Sequence, residues 1–309
     1  MKYRQLGNTG LEVSTLSYGA SSLGSVFRDI NEVEGIKTVH TAIDHGINLI
    51  DVSPYYGLTK AETVLGKALK EIPRDNYILS TKAGRYGEND FDFSKKRIFA
   101  SIDESLTRLG TDYVDILLLH DIEFGSYTQV LEEGIPALQQ LKQEGKIRFF
   151  GVSGLPLTVF EKTLQKVDLD VILSYCHYSL NDTSLLSLIP LLHKKQIGLM
   201  NASPLSMGLL STRSVPDWHP ADDEIRTICK KAAAFCAENG MNISKLAIQF
   251  AVQNEFIPTT LVSTASVENI RNNIAWAQES IDENLLKEVL KILQPIHNKT
   301  WPSGNSDWS

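Results

Sequence analysis

Asp51, Tyr56, Lys82 and His120 are four residue types that together can move a proton, and they recur at comparable places in the sequence. Each ends or closely follows an apolar run: Ile47 to Asp51, Tyr77 to Lys82, and Tyr113 to His120. A phenol with an ordinary pKa of about 10 exchanges protons poorly at neutral pH. An ammonium beside it favours the phenolate and lowers that value. A carboxylate holds the ammonium charged and in place, and an imidazole orients a reacting oxygen. Singly, each residue also fits a plainer role: a capping Asp, a packed Tyr, a satisfied His at a strand end. Gathered at one end of neighbouring strands, they predict a proton-transfer unit.

For these groups to meet, the runs that carry them must lie side by side. The apolar runs read as strands buried on both faces. Strands are expected at Thr15–Tyr18, Ile47–Asp51, Tyr77–Lys82, Tyr113–His120, Ile147–Ser153, Asp170–Tyr175, Ile197–Ala202 and Thr260–Ser263. Between them lie helical patterns: Glu32–His45, Thr59–Lys70, Ser94–Leu109, Gln129–Glu144, Leu157–Lys166, Ser184–Lys195, Asp223–Asn239, Ile243–Gln253, Val267–Ala277 and Glu283–Leu293. Such alternation implies a parallel sheet. Eight units in roughly 250 residues imply a closed (β/α)8 TIM barrel, an α/β fold whose strand ends converge on one face. The stretch from Tyr3 to Val13, with Gly7-Asn8-Thr9-Gly10 at its centre, reads as an N-terminal β-hairpin, and the last helices as C-terminal extras. An open doubly wound sheet is the alternative fold; no Gly-x-Gly-x-x-Gly follows the first strand to support it. No linker or composition shift interrupts residues 1–309, so one domain is expected.

Composition narrows the function. With 30 basic and 37 acidic residues the net charge is −7, and no dense basic cluster could track a phosphate backbone, so no nucleic-acid partner is expected. No apolar run reaches the roughly 18 residues of a membrane span, and the N-terminus lacks a signal-like stretch. Three cysteines, Cys176, Cys229 and Cys236, suit a reducing, cytoplasmic setting better than a disulfide framework. No His/Cys cluster has zinc spacing, so no metal is expected. Oligomeric state is open. His177 and His219 read either as mouth residues or as packing; Trp218 and Trp301 either stack on a ligand or cap the barrel.

The Asp51…Tyr56-Gly57, Thr81-Lys82 and Leu118-Leu119-His120 motifs resemble the aldo-keto reductase superfamily over essentially the whole chain. Leu6–Ser14 and Glu144–Arg148 share the likeness. A subgroup acting on aldoses is resembled at Leu23–Phe27, Asp121–Ser126, Ser174–Tyr178, Trp218–Ala221 and Trp301–Gly304. The resemblance implies a (β/α)8 barrel and hydride exchange with nicotinamide. Tyr56 would be the general acid/base, Lys82 its partner, Asp51 the anchor of the lysine and His120 the orienting group. It also implies sugar contacts at Tyr56, His120, Asp121, Trp218 and His219. The cofactor would lie on Ser153, Tyr175, Ser203, Leu205, Gly208, Ser263, Asn269, Asn272 and Asn273. Ser263 and Asn269 stand where members using NADP carry cations, which favours NAD over NADP. The implied reaction is oxidation of an aldose of the L-galactose, L-fucose or D-arabinose type at C1. The alternatives are a broad aldehyde or ketone reductase using NADPH, and a barrel without catalysis that serves as a binding subunit.

Overall fold

Side chains along a strand face opposite sides with a period of two, and that period builds this molecule from the inside out. The computed structural model describes residues 1–26 and 28–305; Phe27 and residues 306–309, which end the tail expected from Pro295 to Ser309, lie outside the described residues. Ten strands are named here: β1 (Tyr3–Gln5), β2 (Glu12–Ser14), β3 (Leu16–Gly19), β4 (Leu49–Asp51), β5 (Ile78–Ala83), β6 (Val114–Leu119), β7 (Ile147–Gly154), β8 (Val171–Tyr175), β9 (Gly198–Ala202) and β10 (Thr259–Ser263). Among the described residues, β3 to β10 close a parallel barrel in the order β10-β3-β4-β5-β6-β7-β8-β9, and β10 pairs back onto β9. Helices follow the strands and wrap the outside, as the alternation predicts.

Leu49, Ile116, Leu118, Val171, Leu173, Met200 and Leu261 pack into one cluster that fills the barrel. Their strand neighbours Ile50, Leu79, Leu117 and Leu119 join the larger cluster against the helices. The β1–β2 hairpin contributes Leu6, Leu11 and Val13 to the barrel interior and plugs its lower end. There the Asn8 N–H donates to the Gln196 carbonyl at 2.9 Å. Gly7 sits at φ +56, and a Cβ on it would come within 2.3 Å of the Gly198 nitrogen, so no larger residue fits. Near the lower end of β6, Asp115 accepts from the Leu79 N–H and pairs with Arg74 and Arg148. No helix among the described residues is long and apolar enough to cross a membrane.

Two expected helices are divided. The Gln129–Glu144 pattern opens with a π-turn at Val130–Gly134 before α-helix Ile135–Gln143. The Ser184–Lys195 pattern opens as a 3₁₀ turn, Ser184–Leu188, before helix Ile189–Lys195. In each case a proline, Pro136 or Pro190, sits in the first turn of the α-helix. Having no N–H, it cannot continue an α ladder from the preceding turn.

Candidate active site

The interior face that starts apolar at the bottom ends in titratable groups at the top. Leu49 gives way to Asp51, Ser80 to Lys82, and Ile116 and Leu118 to His120 just past β6. The register aligns these ends: Asp51 pairs with Ser80, and Lys82 with Leu118. Asp51, Lys82 and His120 are all buried.

Lys82 Nζ lies 2.5 Å from Asp51 Oδ2, donates to the Val52 carbonyl at 2.9 Å and reaches Tyr56 Oη at 3.3 Å. Ser80 Oγ donates to the other Asp51 oxygen at 2.7 Å, so both carboxylate oxygens are engaged. Burial works against the ammonium, but Asp51 and Tyr56 outweigh it and push Lys82 up to about 12. The lysine therefore stays charged at neutral pH.

The phenol departs from the sequence expectation. Burial pushes Tyr56 up, Lys82 opposes it, and Asp51 and Asp121 add to the rise, so the net direction is upward. The lysine does favour the phenolate, as expected. Burial and the two nearby carboxylates, which the sequence could not weigh, outweigh it.

Ser53 fixes the state of His120. Its Oγ accepts the Tyr55 N–H at 3.1 Å and lies 2.9 Å from His120 Nδ1. With Ser53 as donor to Nδ1, the network assigns the ring proton to Nε2. Burial, then Lys82 and Arg85, hold the imidazole well below its ordinary pKa, so it is neutral. The Tyr56 and His120 rings meet edge to face, centroids 5.6 Å apart. The result is a neutral N–H donor beside a phenol backed by a cation. This arrangement can polarise a carbonyl or hydroxyl oxygen and exchange one proton with it.

The loop that presents Tyr56 is held by backbone contact. Gly57 at φ +62, Leu58 at +50 and Thr59 at +76 form a left-handed run. Such strain persists only where surroundings enforce it. A Cβ on Gly57 would lie 2.0 Å from the Gly24 carbonyl oxygen, and one on Gly24 would lie 2.6 Å from that of Tyr56.

A second layer joins Asp121, expected from the resemblance as a sugar contact, to Arg85, which no sequence motif singled out. Arg85, three residues past Lys82, pairs with Asp121 at 2.6 Å and donates to Tyr55 Oη at 3.0 Å. Its guanidinium lies over the Tyr55 ring at 3.9 Å and near those of Phe91 and Phe124. Asp121 also sits 3.6 Å from His120 Nε2 and accepts weakly from Ser153 Oγ at 3.4 Å. Its place directly after His120 was the available signal; for Arg85 there was only its distance from a strand end.

The remaining expected positions fall on the same rim. Ser153 lies in β7, Tyr175 ends β8, Ser203, Leu205 and Gly208 follow β9, and Ser263 ends β10. Asn269, Asn272 and Asn273 lie on the next helix, Val267–Trp276. After β9, Ser203, Ser206, Met207 and Gly208 all have positive φ. The Ser206 hydroxyl there is buried with no partner, and open space lies where a Gly208 Cβ would point. The Ser263 hydroxyl joins those of Ser21 and Ser22. Trp218 is 55% exposed, whereas Trp301 is buried against the His219 ring at 5.1 Å. Trp301 is therefore a packed side chain, in one cluster with Leu155, Cys176 and Leu209. The expected sugar contact at His219 meets an obstacle, because both its ring nitrogens are engaged by backbone: Nε2 with the Ser206 carbonyl at 3.1 Å, Nδ1 with the Ala221 N–H at 3.1 Å. His177 is buried on Asp182 and Ser184.

Residues 15–294 match the aldo/keto reductase family. The chain belongs to that family. It is 51% identical to L-galactose dehydrogenase of Arabidopsis thaliana over 98% of each chain. It is 35% identical to D-arabinose 1-dehydrogenase of Saccharomyces cerevisiae over 94% of each. An aldo-keto reductase of Bacillus halodurans, solved in its holo form, superposes with a TM-score of 0.80 at 27% identity, covering 98% of each chain. As an aldo/keto reductase the protein is an oxidoreductase, and the family uses a nicotinamide cofactor. The rim after β7 to β10 suits such a group: it carries an unpartnered buried serine hydroxyl, an open glycine and a row of small polar side chains.

Proposed function

We propose that this chain, acting as one barrel domain, is an NAD-dependent sugar dehydrogenase. It oxidises L-galactose, or a related aldose such as L-fucose or D-arabinose, at C1 to the aldonolactone. The observation that carries the chemistry is the Asp51–Lys82–Tyr56 chain of contacts beside a neutral His120. The 51% identity to L-galactose dehydrogenase over nearly the whole chain supports the sugar.

In this reading the His120 Nε2–H orients the C1 hydroxyl, and Tyr56 Oη takes its proton. Tyr56 does so as the phenolate, having first released its own proton to solvent; Lys82 stabilises that phenolate, and Asp51 keeps Lys82 charged. When bound, a nicotinamide would supply the hydride acceptor for C1. Asp121 and Trp218 contribute to sugar binding, while His219 packs against Trp301. Ser153, Tyr175, Ser203, Leu205 and Gly208 hold the nicotinamide and pyrophosphate side; Ser263, Asn269, Asn272 and Asn273 hold the adenosine side.

NAD is favoured over NADP by charge. The first turn of helix Val267–Trp276 carries Glu268, and Ser263 and Asn269 supply hydroxyl and amide groups. A 2′-phosphate calls for a cation, best a guanidinium in bidentate contact. The three free, buried cysteines support a cytoplasmic setting.

One observation favours the reverse direction. The raised pKa of Tyr56 keeps the phenol protonated, the form that carbonyl reduction requires. Initial rates decide between the readings. NADH and NADPH formation are followed with L-galactose, L-fucose, D-arabinose and D-galactose, and aldehyde reduction is followed in parallel. Turnover of L-galactose with NAD is expected. Preference for NADPH with simple aldehydes would overturn the proposal in favour of a reductase, and cofactor binding without turnover would favour a barrel without catalysis.

A further inference from the structure

The C-terminal segment after helix Glu283–Leu293 returns to the barrel rim and bridges two loops. At one end Trp301 packs on His219, which follows β9. At the other, three hydrogen bonds join it to the loop after β6. Ser303 Oγ donates to Glu123 Oε1 at 3.1 Å, the Asn305 N–H to the Glu123 carbonyl at 2.8 Å, and Asn305 Nδ2 to the Gly125 carbonyl at 3.1 Å. In the barrel order β6-β7-β8-β9 the segment therefore crosses the ends of β7 and β8. Those ends carry Ser153, Gly154 and Tyr175, between the proton-transfer residues and the loop after β9.

Glu123 is the fixed point of this bridge. It is fully buried, and its Oε1 also accepts the Leu155 N–H at 2.9 Å. Its Oε2 is buried without a partner, which no surface ion pair explains. Two glycines make room for it. A Cβ on Gly154 would lie 2.7 Å from Oε2, and one on Gly304, at φ +83, would lie 2.5 Å from the Glu123 carbonyl oxygen. A buried carboxyl with one bare oxygen is costly unless protonated. Burial and the nearby Asp121 push Glu123 up to about 8, which keeps the proton on it at neutral pH.

We propose that Glu123 is a positioning residue that latches Trp301–Asn305 across the barrel mouth, and that this latch sets the affinity for the sugar. The link to the sugar rests on the dehydrogenase reading; the latch itself does not.

The test compares Glu123→Ala, Glu123→Gln and Ser303→Ala with wild type in the full chain. Two measurements are made: hydrogen exchange of the 298–305 peptide, and KM and kcat for L-galactose with saturating NAD. Glu123→Ala and Ser303→Ala are expected to speed exchange in that peptide by tenfold or more. They should raise KM about three- to tenfold with kcat within twofold. Glu123→Gln keeps an acceptor for Leu155 and Ser303 and should restore both readouts. Unchanged exchange in Glu123→Ala and Ser303→Ala would overturn the latch. Faster exchange with unchanged KM would overturn its link to affinity. If wild type turns over no aldose, the dehydrogenase reading fails and the link to affinity with it, while exchange still decides the latch. Should Glu123→Ala not fold, Ser303→Ala, which removes one surface-side hydroxyl, tests the same contact by the same two readouts.

Discussion

Replacing Lys82 by Met removes the cation that touches the Tyr56 hydroxyl and keeps a side chain of similar length. At 3.3 Å and an effective dielectric of about 20, an ammonium and a phenolate attract by about 5 kcal/mol. Asp51 is bonded to the same ammonium and repels the phenolate, so roughly half of that remains as a net effect. A net 2–3 kcal/mol corresponds to about two pKa units, or about a hundredfold in the rate of proton transfer. Lys82→Met should therefore lower kcat for aldose oxidation about a hundredfold near neutral pH. The alkaline rise of the pH–rate profile should move up by about two units. Cofactor titration should be unaffected, because the lysine sits on the β4–β6 side of the rim. The assay is steady-state NADH formation over a pH series, with thermal melting to confirm folding. Asp51→Asn is the companion variant: without its carboxylate, burial drives Lys82 toward the neutral form. It should imitate Lys82→Met as pH rises. A kcat within threefold of wild type with an unshifted profile would refute the role given to the lysine.

Two further outcomes follow from the same geometry. Gly57→Ala places a Cβ where the Gly24 carbonyl oxygen stands and keeps a left-handed φ; kcat/KM should drop more than tenfold in a protein that still melts cooperatively, whereas a wild-type value would show slack in the Tyr56 loop. Glu123 and His120 give opposing pH dependences of stability. Glu123, raised from an ordinary 4.5 to about 8 with Asp121 and Tyr175 as its titratable neighbours, contributes stability that is complete below about pH 4.5 and lost as pH rises through about 8. His120, lowered, contributes stability present above about pH 6.5 and lost as pH falls below it. Each slope approaches about 1.4 kcal/mol per pH unit, so the two oppose just below pH 6.5, and the loss from Glu123 continues above it up to about 8. Urea unfolding from pH 6.5 to 8 should show that loss in wild type and not in Glu123→Gln; an unchanged slope in the variant would assign it elsewhere.

The barrel was legible because its strands are buried on both faces and their ends change character abruptly. Leu49 to Asp51 and Leu118 to His120 make that change within one two-residue period. The divided helices at Pro136 and Pro190 were not foreseen, because the apolar spacing continues through turns whose hydrogen bonds a proline alters. Arg85 and Glu123 escaped for another reason. Their partners are Asp121, Tyr55 and Ser303, the last 180 residues away, and no local pattern announces such a contact. The direction of the Tyr56 pKa depends on how burial compares with one nearby cation, which is a property of the folded chain. His219 looked available to a sugar because a sequence does not show that backbone groups have taken both ring nitrogens.

The most direct measurement is the turnover of Tyr56→Phe with L-galactose and NAD. The ring and its edge-to-face contact with His120 remain, and only the hydroxyl is lost. Aldose oxidation should fall by roughly a thousandfold while NAD still binds with its wild-type dissociation constant. Retention of most of the wild-type turnover would contradict proton transfer through this phenol.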